Sequence, residues 1–411
     1  MRMLFLAVAL AGSTADLFAQ QRDSVRARQI ADSIALVREL EAARRDTAQR
    51  AMGPQQQPVN PRQLPDISAV GDLVGDFSPE GSTQEDATRF GIREIEIAFQ
   101  AAVDPYFRGD VFLGFSDAEG VHIEQAFMTT TAVPGFELRL GRFLMPVGKQ
   151  NTTHRHDLHT IEYPWVIQRF LGEEGLKGTG LYVSRIFAPL GFYQELLLTA
   201  VDRVGEAPED LVTEEPVNRE LEGLAFSARL RNYWDLSEAA NLELSASALA
   251  GRVEQPFDFG GAPPAPEVNA VAANQRLYSG DVTFRWRPLQ QGLYRSFIAQ
   301  AEYYLQQNAR SEDPAFGGPN RDFGGAYGFA RWQLTRRWFV AARYDWLEDP
   351  ELGGETLTAA SGYLQWFPSE FSKITAAFER VMPNAAAGLE ATNRVLLQAS
   401  FAIGPHKPHP F

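Results

Sequence analysis

From Asp66 onward the sequence keeps a period of two. In EIEIAFQ, Ile95, Ile97 and Phe99 alternate with Glu94, Glu96 and Ala98. In DVTFRWR, Val282, Phe284 and Trp286 alternate with Asp281, Thr283, Arg285 and Arg287. In RRWFVAARYDW, Trp338, Val340, Ala342, Tyr344 and Trp346 share one parity, and Arg337, Phe339, Ala341, Arg343 and Asp345 the other. Such alternation puts apolar side chains on one face of a sheet and charged ones on the other. About sixteen such segments can be counted, most of roughly ten residues, the length that crosses a bilayer when tilted. They centre near Gly71, Ile97, Leu113, Phe127, Leu140, Val183, Leu197, Phe226, Ala246, Phe284, Ala301, Ala330, Ala342, Gly362, Ala376 and Ala399.

The connections alternate as well. Segments 104–107, 132–135, 188–191, 334–337 and 367–372 read as short turns. Segments 78–89, 145–177, 205–219, 253–274, 311–322, 347–355 and 382–389 are long, and only 117–120 is short on the long side. Turns on one side and loops on the other mark a transmembrane barrel, and an even strand count returns both ends to the turn side. In lipid every backbone N–H and C=O must be paired, so a spanning sheet has to close on itself. A soluble sandwich could share the alternation but would not place Trp234, Trp286, Trp338, Trp346 and Trp366 at or near strand ends, where aromatic girdles lie. The expected fold is all-β, a closed antiparallel transmembrane β-barrel of about sixteen strands.

The 66–411 barrel is preceded by three segments of other kinds. Residues 1–19, with Arg2 before the apolar run Met3–Ala11, read as a secretory signal peptide. Residues 20–52 carry Ile30, Ile34 and Val37 at helical spacing on a stripe too narrow for a globular core, which suits a short coiled coil or a solvated helix. Residues 53–65, rich in Pro and Gln, read as an extended linker. The 411-residue chain has no cysteine, which excludes disulfides and thiolate chemistry, and its net charge of -14 argues against nucleic acid as a partner.

Three stretches, VDPYFRGDVFLGF (103–115), FELRLGRFLMPVGKQNTTHRHDL (136–158) and RFLGEEGLKGTGLYVS (169–184), resemble bacterial outer-membrane porins of the phosphate-selective-porin-like type and their uncharacterised relatives. In that group a GxFxxPxGxxN strand end leads into a long loop, here 145–177. The resemblance covers most of 66–411. It implies an outer-membrane porin of a Gram-negative-type envelope passing small hydrophilic solutes or ions, with no enzymatic activity and no cofactor. It also implies contact with outer-membrane lipid and recognition by the barrel-assembly machinery through the terminal Phe411, although GPHKPHP interrupts the usual last strand. A homotrimer is one candidate assembly.

Two places can carry chemistry. Loop 145–177 holds His154, His156 and His159, half of the six histidines, together with Lys149, Arg155 and Asp157. Folded inward, it would narrow the lumen. The histidines could chelate a metal, since His154 and His156 share a face in an extended segment, and the barrel would then serve zinc uptake or sensing. The plainer reading has them bonding the loop to the wall. Ordinary histidines there would titrate near pH 6–7. No nucleophile motif accompanies them, and GEEGLKGTG lacks the Gly-Lys-Ser/Thr of a phosphate loop. The second place is the lumen wall. Strand parity turns inward Glu94, Glu96, Arg108, Asp110, His122, Glu124, Arg139, Arg229, Arg231, Asp281, Arg285, Arg287, Glu302, Arg331, Arg343, Lys373, Glu379 and Arg394. Rings of charge set ion preference in pores, and here both signs occur. The dense Lys/Arg ladder a phosphate pore needs is missing. A third role, bracing the envelope through the N-terminal helix, needs no permeation at all.

Overall fold

In the computed structural model residues 65–404 are described, apart from 85–87, 118–119, 205–220, 256–270, 310–320, 353 and 386–388. The chain divides after Asn60 into two units, and the described residues belong to the second. The expected signal peptide, helical segment, most of the linker and Phe411 lie outside them.

Sixteen strands close into one antiparallel barrel in which each strand pairs with its sequence neighbours and β1 (Asp66–Asp76) meets β16 (Thr392–Ile403). In order the others are β2 (Phe90–Ala102), β3 (Phe107–Ser116), β4 (Gly120–Thr130), β5 (Glu137–Leu144), β6 (Lys177–Phe187), β7 (Tyr193–Val204), β8 (Leu221–Ser237), β9 (Ala240–Gln255), β10 (Val271–Trp286), β11 (Phe297–Ala309), β12 (Arg321–Gln333), β13 (Trp338–Asp349), β14 (Glu355–Ser369) and β15 (Ser372–Pro383). Closure leaves no edge unpaired, as hydrocarbon requires. The expected loop at 253–274 is shorter than the alternation suggested, because β9 and β10 stay paired out to Gln255 and Val271. Among the described residues no helix is long and apolar enough to cross a membrane.

The period of two is realised along most of the wall, with register shifts between several paired strands, among them β1–β2 at Asp72/Leu73 and β3–β4 at Phe112/Leu113. Along β13, Phe339, Ala341, Arg343, Asp345 and Leu347 are buried, while Trp338, Ala342, Tyr344 and Trp346 are exposed. At the turn end Trp286 stacks on Trp332 and Trp338 on Trp366, forming an outward girdle. Trp332 belongs to that girdle although the sequence reading did not single it out.

The inward face is less uniformly polar than the alternation implied. The apolar core lies inside the barrel, where Val201, Ala225, Leu249, Leu277, Tyr304, Phe323, Leu347, Leu357 and Leu396 meet side chains of the 145–176 connection.

Candidate functional site

The GxFxxPxGxxN segment explains how that connection turns inward. Gly141 in β5 has φ +140, and a Cβ there would stand 2.1 Å from the Ala126 carbonyl oxygen of β4. Gly148 has φ +68, and its Cβ would stand 1.8 Å from Tyr304 Oη of β11, so only glycine lets the backbone pass this close to the opposite wall. There the Gly148 N–H donates to Ser247 Oγ (2.9 Å), its carbonyl accepts from Arg229, and the Lys149 and Gln150 N–H groups donate to the Glu302 carboxylate (3.1 and 2.8 Å). Asn151 clasps the two ends of the loop. Its amide donates to the Met145 and Leu176 carbonyls, and its Oδ1 accepts from the Leu176 N–H at 2.7 Å. The motif thus builds the inward bend and its clasp.

Beyond Asn151 the segment runs from wall to wall. His154 Nδ1 meets Glu96 of β2 at 2.7 Å. Lys373 of β15 donates to the carbonyls of His156 and Leu158, and Gln365 of β14 to that of His159. Arg343 of β13 donates to the Glu162 carbonyl, while Arg394 of β16 pairs with the Glu162 carboxylate at 2.8 and 2.9 Å. A short helix, α1 (Trp165–Leu171), follows Pro164. Its first N–H donates to Asp345 of β13 at 3.0 Å, an acid placed where unpaired helix amides favour negative charge. Its inner residues Val166, Ile167, Phe170 and Leu171 are buried, and Val166 rests against Gly325 of β12. Burying such a side chain contributes on the order of 1.5–3 kcal/mol. The loop is therefore held by an apolar core as well as by charge, which its polar histidine stretch did not announce.

The three histidines part company. His154 and His156 come together with Glu96, their nearest donor atoms lying within 4.8 Å of one another, whereas His159 sits apart, its Nδ1 3.0 Å from the Arg331 guanidinium and its ring stacked on Phe329. A three-histidine centre does not form. Burial and then the neighbouring cations Arg331 and Lys373 hold His159 well below the usual imidazole range, so it accepts the Arg331 hydrogen bond as a neutral ring. Burial likewise lowers His156, although Asp157 and Glu96 oppose it. For His154 burial disfavours charge and Glu96 outweighs it, raising the ring to about 10. The Gln125 amide pulls the other way. Its Oε1 accepts from the Leu144 N–H, so its N–H faces His154 Nε2 at 2.7 Å and can only donate to an unprotonated nitrogen. We place His154 as the Nδ1–H tautomer donating to Glu96. His154 and His159 depart from the ordinary imidazole range in opposite senses, and His156 lies below it.

The remaining candidates fall into local sets. Lys149 pairs with Glu243 at 2.8 Å, yet burial depresses its amine to about 8. Arg229 pairs with Asp281, and Arg231 bridges Glu195 and Glu243. Arg343 holds Asp345 and Glu379. Arg108 pairs with Asp110 on its own strand, and Arg139 pairs with Glu137 and lies over the Phe127 and Tyr182 rings. Glu124 takes Lys177 at 2.5 Å. Arg155 is drawn by Glu162, Glu174 and Glu173 against the cost of its burial. Glu243 and Glu195 escaped the sequence reading, and the wall contacts of Asp345 and the clasp of Asn151 were not foreseen. Glu243 alternates with Leu242 and Leu244 in NLELSASALA, and that parity was the available signal.

Arg285, Arg287 and Arg331 converge with Arg336 and Arg337 on a cavity of about 340 Å³ at the turn end, where Glu370 is the one lining carboxylate. Arg331 is 4% exposed, and its partners are the neutral His159 and the face of Phe339.

No family model matches the sequence. A protein of Aquifex aeolicus described only as uncharacterised is 29% identical over 345 residues, covering 78% of this chain and 70% of that protein. Among solved structures, the outer membrane channel DcaP of Acinetobacter baumannii superposes with TM-score 0.55 at 12% identity, covering 82% of this chain and 96% of that one. OprB of Pseudomonas putida superposes with TM-score 0.54 at 8% identity, covering 82% and 94%. The fold is that of outer-membrane porins and channels.

Proposed function

We propose that the chain is a porin-like channel of the outer membrane, in which the 145–176 segment narrows the lumen and selects among small hydrophilic solutes or ions. The observation that carries this reading is the path of that segment, hydrogen-bonded to inward side chains of β2, β9, β11 and β13–β16. A barrel of this strand number encloses a water-filled interior, and a strap fixed across it leaves solutes only the space between strap and wall. The motifs at 103–115, 136–158 and 169–184 resemble those of the phosphate-selective-porin-like barrels, while the mixed wall charge supports no preference for phosphate. Nothing in the reading needs a nucleophile or a cofactor, and the barrel acts by passive diffusion. Assembly as a homotrimer, insertion by the barrel-assembly machinery and contact with outer-membrane lipid belong to the same reading.

Proteoliposome swelling tests it. Vesicles carrying the purified chain are expected to swell in small sugars and amino acids at rates that fall steeply with solute size. Rates equal to those of protein-free vesicles for every solute would contradict the proposal and favour a barrel that only braces the envelope.

A further inference from the structure

On the wall opposite the arginine cavity, beside the Glu96–His154 pair, lies a second cluster. Glu94 of β2, His122 of β4 and Glu124 of β4 bring one donor atom each to within 4.8 Å of the others. Glu94 and Glu96 are two residues apart on one face of β2, so the cluster occupies the next rung of the same wall.

Three observations separate it from an ordinary group of lumen acids. First, Glu94 is 7% exposed and makes no hydrogen bond or ion pair among the described residues, yet its carboxylate points at Glu124 and His122. A buried carboxylate without a donor is costly and calls for a counter-charge. Second, the His122 ring lies across Gly114, its partner in β3, where a Cβ would stand 2.2 Å from Nε2. Glycine leaves the space that lets the imidazole lie flat toward the acids. The same Nε2 is 3.7 Å from both Glu124 and Glu174, so a fourth donor is at hand. Third, the acids outnumber the cations beside them. Glu94, Glu124 and Glu174 face Lys177, which is 2.5 Å from both Glu124 and Glu174, with Arg155 of the loop acting at longer range. Glu96, one rung away, is already engaged by His154.

The geometry points to a binding site for a divalent transition-metal ion formed by Glu94, His122 and Glu124, with Glu174 as the further oxygen donor. One imidazole with carboxylates is a donor set that zinc accepts in tetrahedral geometry, at about 2.0–2.2 Å from each ligand. An ion at the centre of a triangle with 4.8 Å edges would lie no more than about 2.8 Å from each donor, so small side-chain rotations close the site. The site is distinct from the loop histidines and goes beyond the channel reading, since it stands whether or not the barrel conducts.

The test uses the untagged full-length chain, folded in detergent and stripped of metal, titrated calorimetrically with Zn2+ and spectroscopically with Co2+. Stoichiometric binding is expected, lost in Glu94→Gln and in His122→Ala, and retained in the His154→Ala/His156→Ala double variant. Gly114→Ala, which keeps every ligand residue but pushes the His122 ring aside, is expected to weaken affinity about 10–100-fold, as displaced ligand support does. Circular dichroism of each variant confirms that the barrel has formed. Absence of stoichiometric binding by folded wild type overturns the proposal. So does binding that survives Glu94→Gln and His122→Ala, or that disappears only with the loop histidines.

Discussion

The two walls on either side of the 145–176 segment differ in how their charge is met. On the β2–β4 wall the acids Glu94, Glu96 and Glu124 face a loop that brings His154 and Arg155, helped by Lys177 at the foot of β6. On the β10–β13 wall the arginines face a loop that brings a neutral histidine and backbone carbonyls, His159 for Arg331 and the Glu162 carbonyl for Arg343. One strand rule, alternate residues inward, built both walls, so the difference lies in the inward residue types and in the loop that reads them. The acid wall still carries more carboxylates than cations, whereas the turn-end cavity sets Arg285, Arg287, Arg331, Arg336 and Arg337 against the single carboxylate of Glu370. The field within that cavity is therefore positive, and anions are expected to enter it more readily than cations.

The comparison is broken most forcefully at the anchor joining loop to wall. Arg394 is almost buried between Glu162 and Glu379. Arg394→Ala leaves both acids without their guanidinium and is expected to cost about 3–5 kcal/mol, read as a shift in the urea unfolding midpoint of the folded barrel. The same anchor responds to acid. Burial raises the Glu162 carboxyl, but Arg394 outweighs it and holds it down at about 2. A depressed carboxyl contributes stability that is full above its unfolded value near 4.5 and is lost as pH falls toward 2. Wild type is thus expected to lose stability between those values, and Glu162→Gln to start lower and fall less. Equal slopes would remove Glu162 from the account.

Next in size is the contrast between inward and outward faces. Leu397 is 41% exposed on the outer face of β16, and its neighbour Gln398 is fully buried inside on Asp72. Leu397→Arg is expected to cost about 2–4 kcal/mol near the bilayer midplane, measured by folding into lipid vesicles, whereas Arg285→Ala, inward and half-exposed, should leave folding nearly unchanged. Equal tolerance at both parities would contradict the barrel's orientation in lipid.

The smallest effect on stability belongs to the turn-mouth arginines. Arg336 and Arg337 are exposed in the β12–β13 turn, so replacing both with Ala is expected to change stability by less than about 0.5 kcal/mol. Their loss should still move the zero-current potential of a salt gradient toward cation preference. An unmoved potential would confine the cavity's influence to Arg285, Arg287 and Arg331.

Most of the fold was legible because strand parity and connection length are local signals. The pattern of EIEIAFQ or RRWFVAARYDW needs no knowledge of distant partners to show which residues face in. The site was legible only in part, and for the opposite reason. Inward candidates such as Arg229, Arg343 and Glu124 follow from parity, but their partners Asp281, Glu379 and Lys177 are set by barrel register and by the loop. The three histidines stood close in sequence and invited a shared centre. A turn of 3-10 helix at Arg155–Asp157 sends His159 toward Arg331 while His154 and His156 stay at Glu96. The α1 segment is seven residues long, too short for its helical period to show, and its apolar face has meaning only against Gly325 and Asp345.

The central claim is that the 145–176 segment occupies the lumen and limits passage. Deleting 152–160 removes the stretch that reaches from Glu96 across to Lys373 while leaving every strand, the Asn151 clasp and α1 in place. Single-channel recording in planar bilayers is expected to show the deletion conducting more than wild type and discriminating less between cations and anions. A deletion channel with unchanged conductance and unchanged selectivity would contradict the claim.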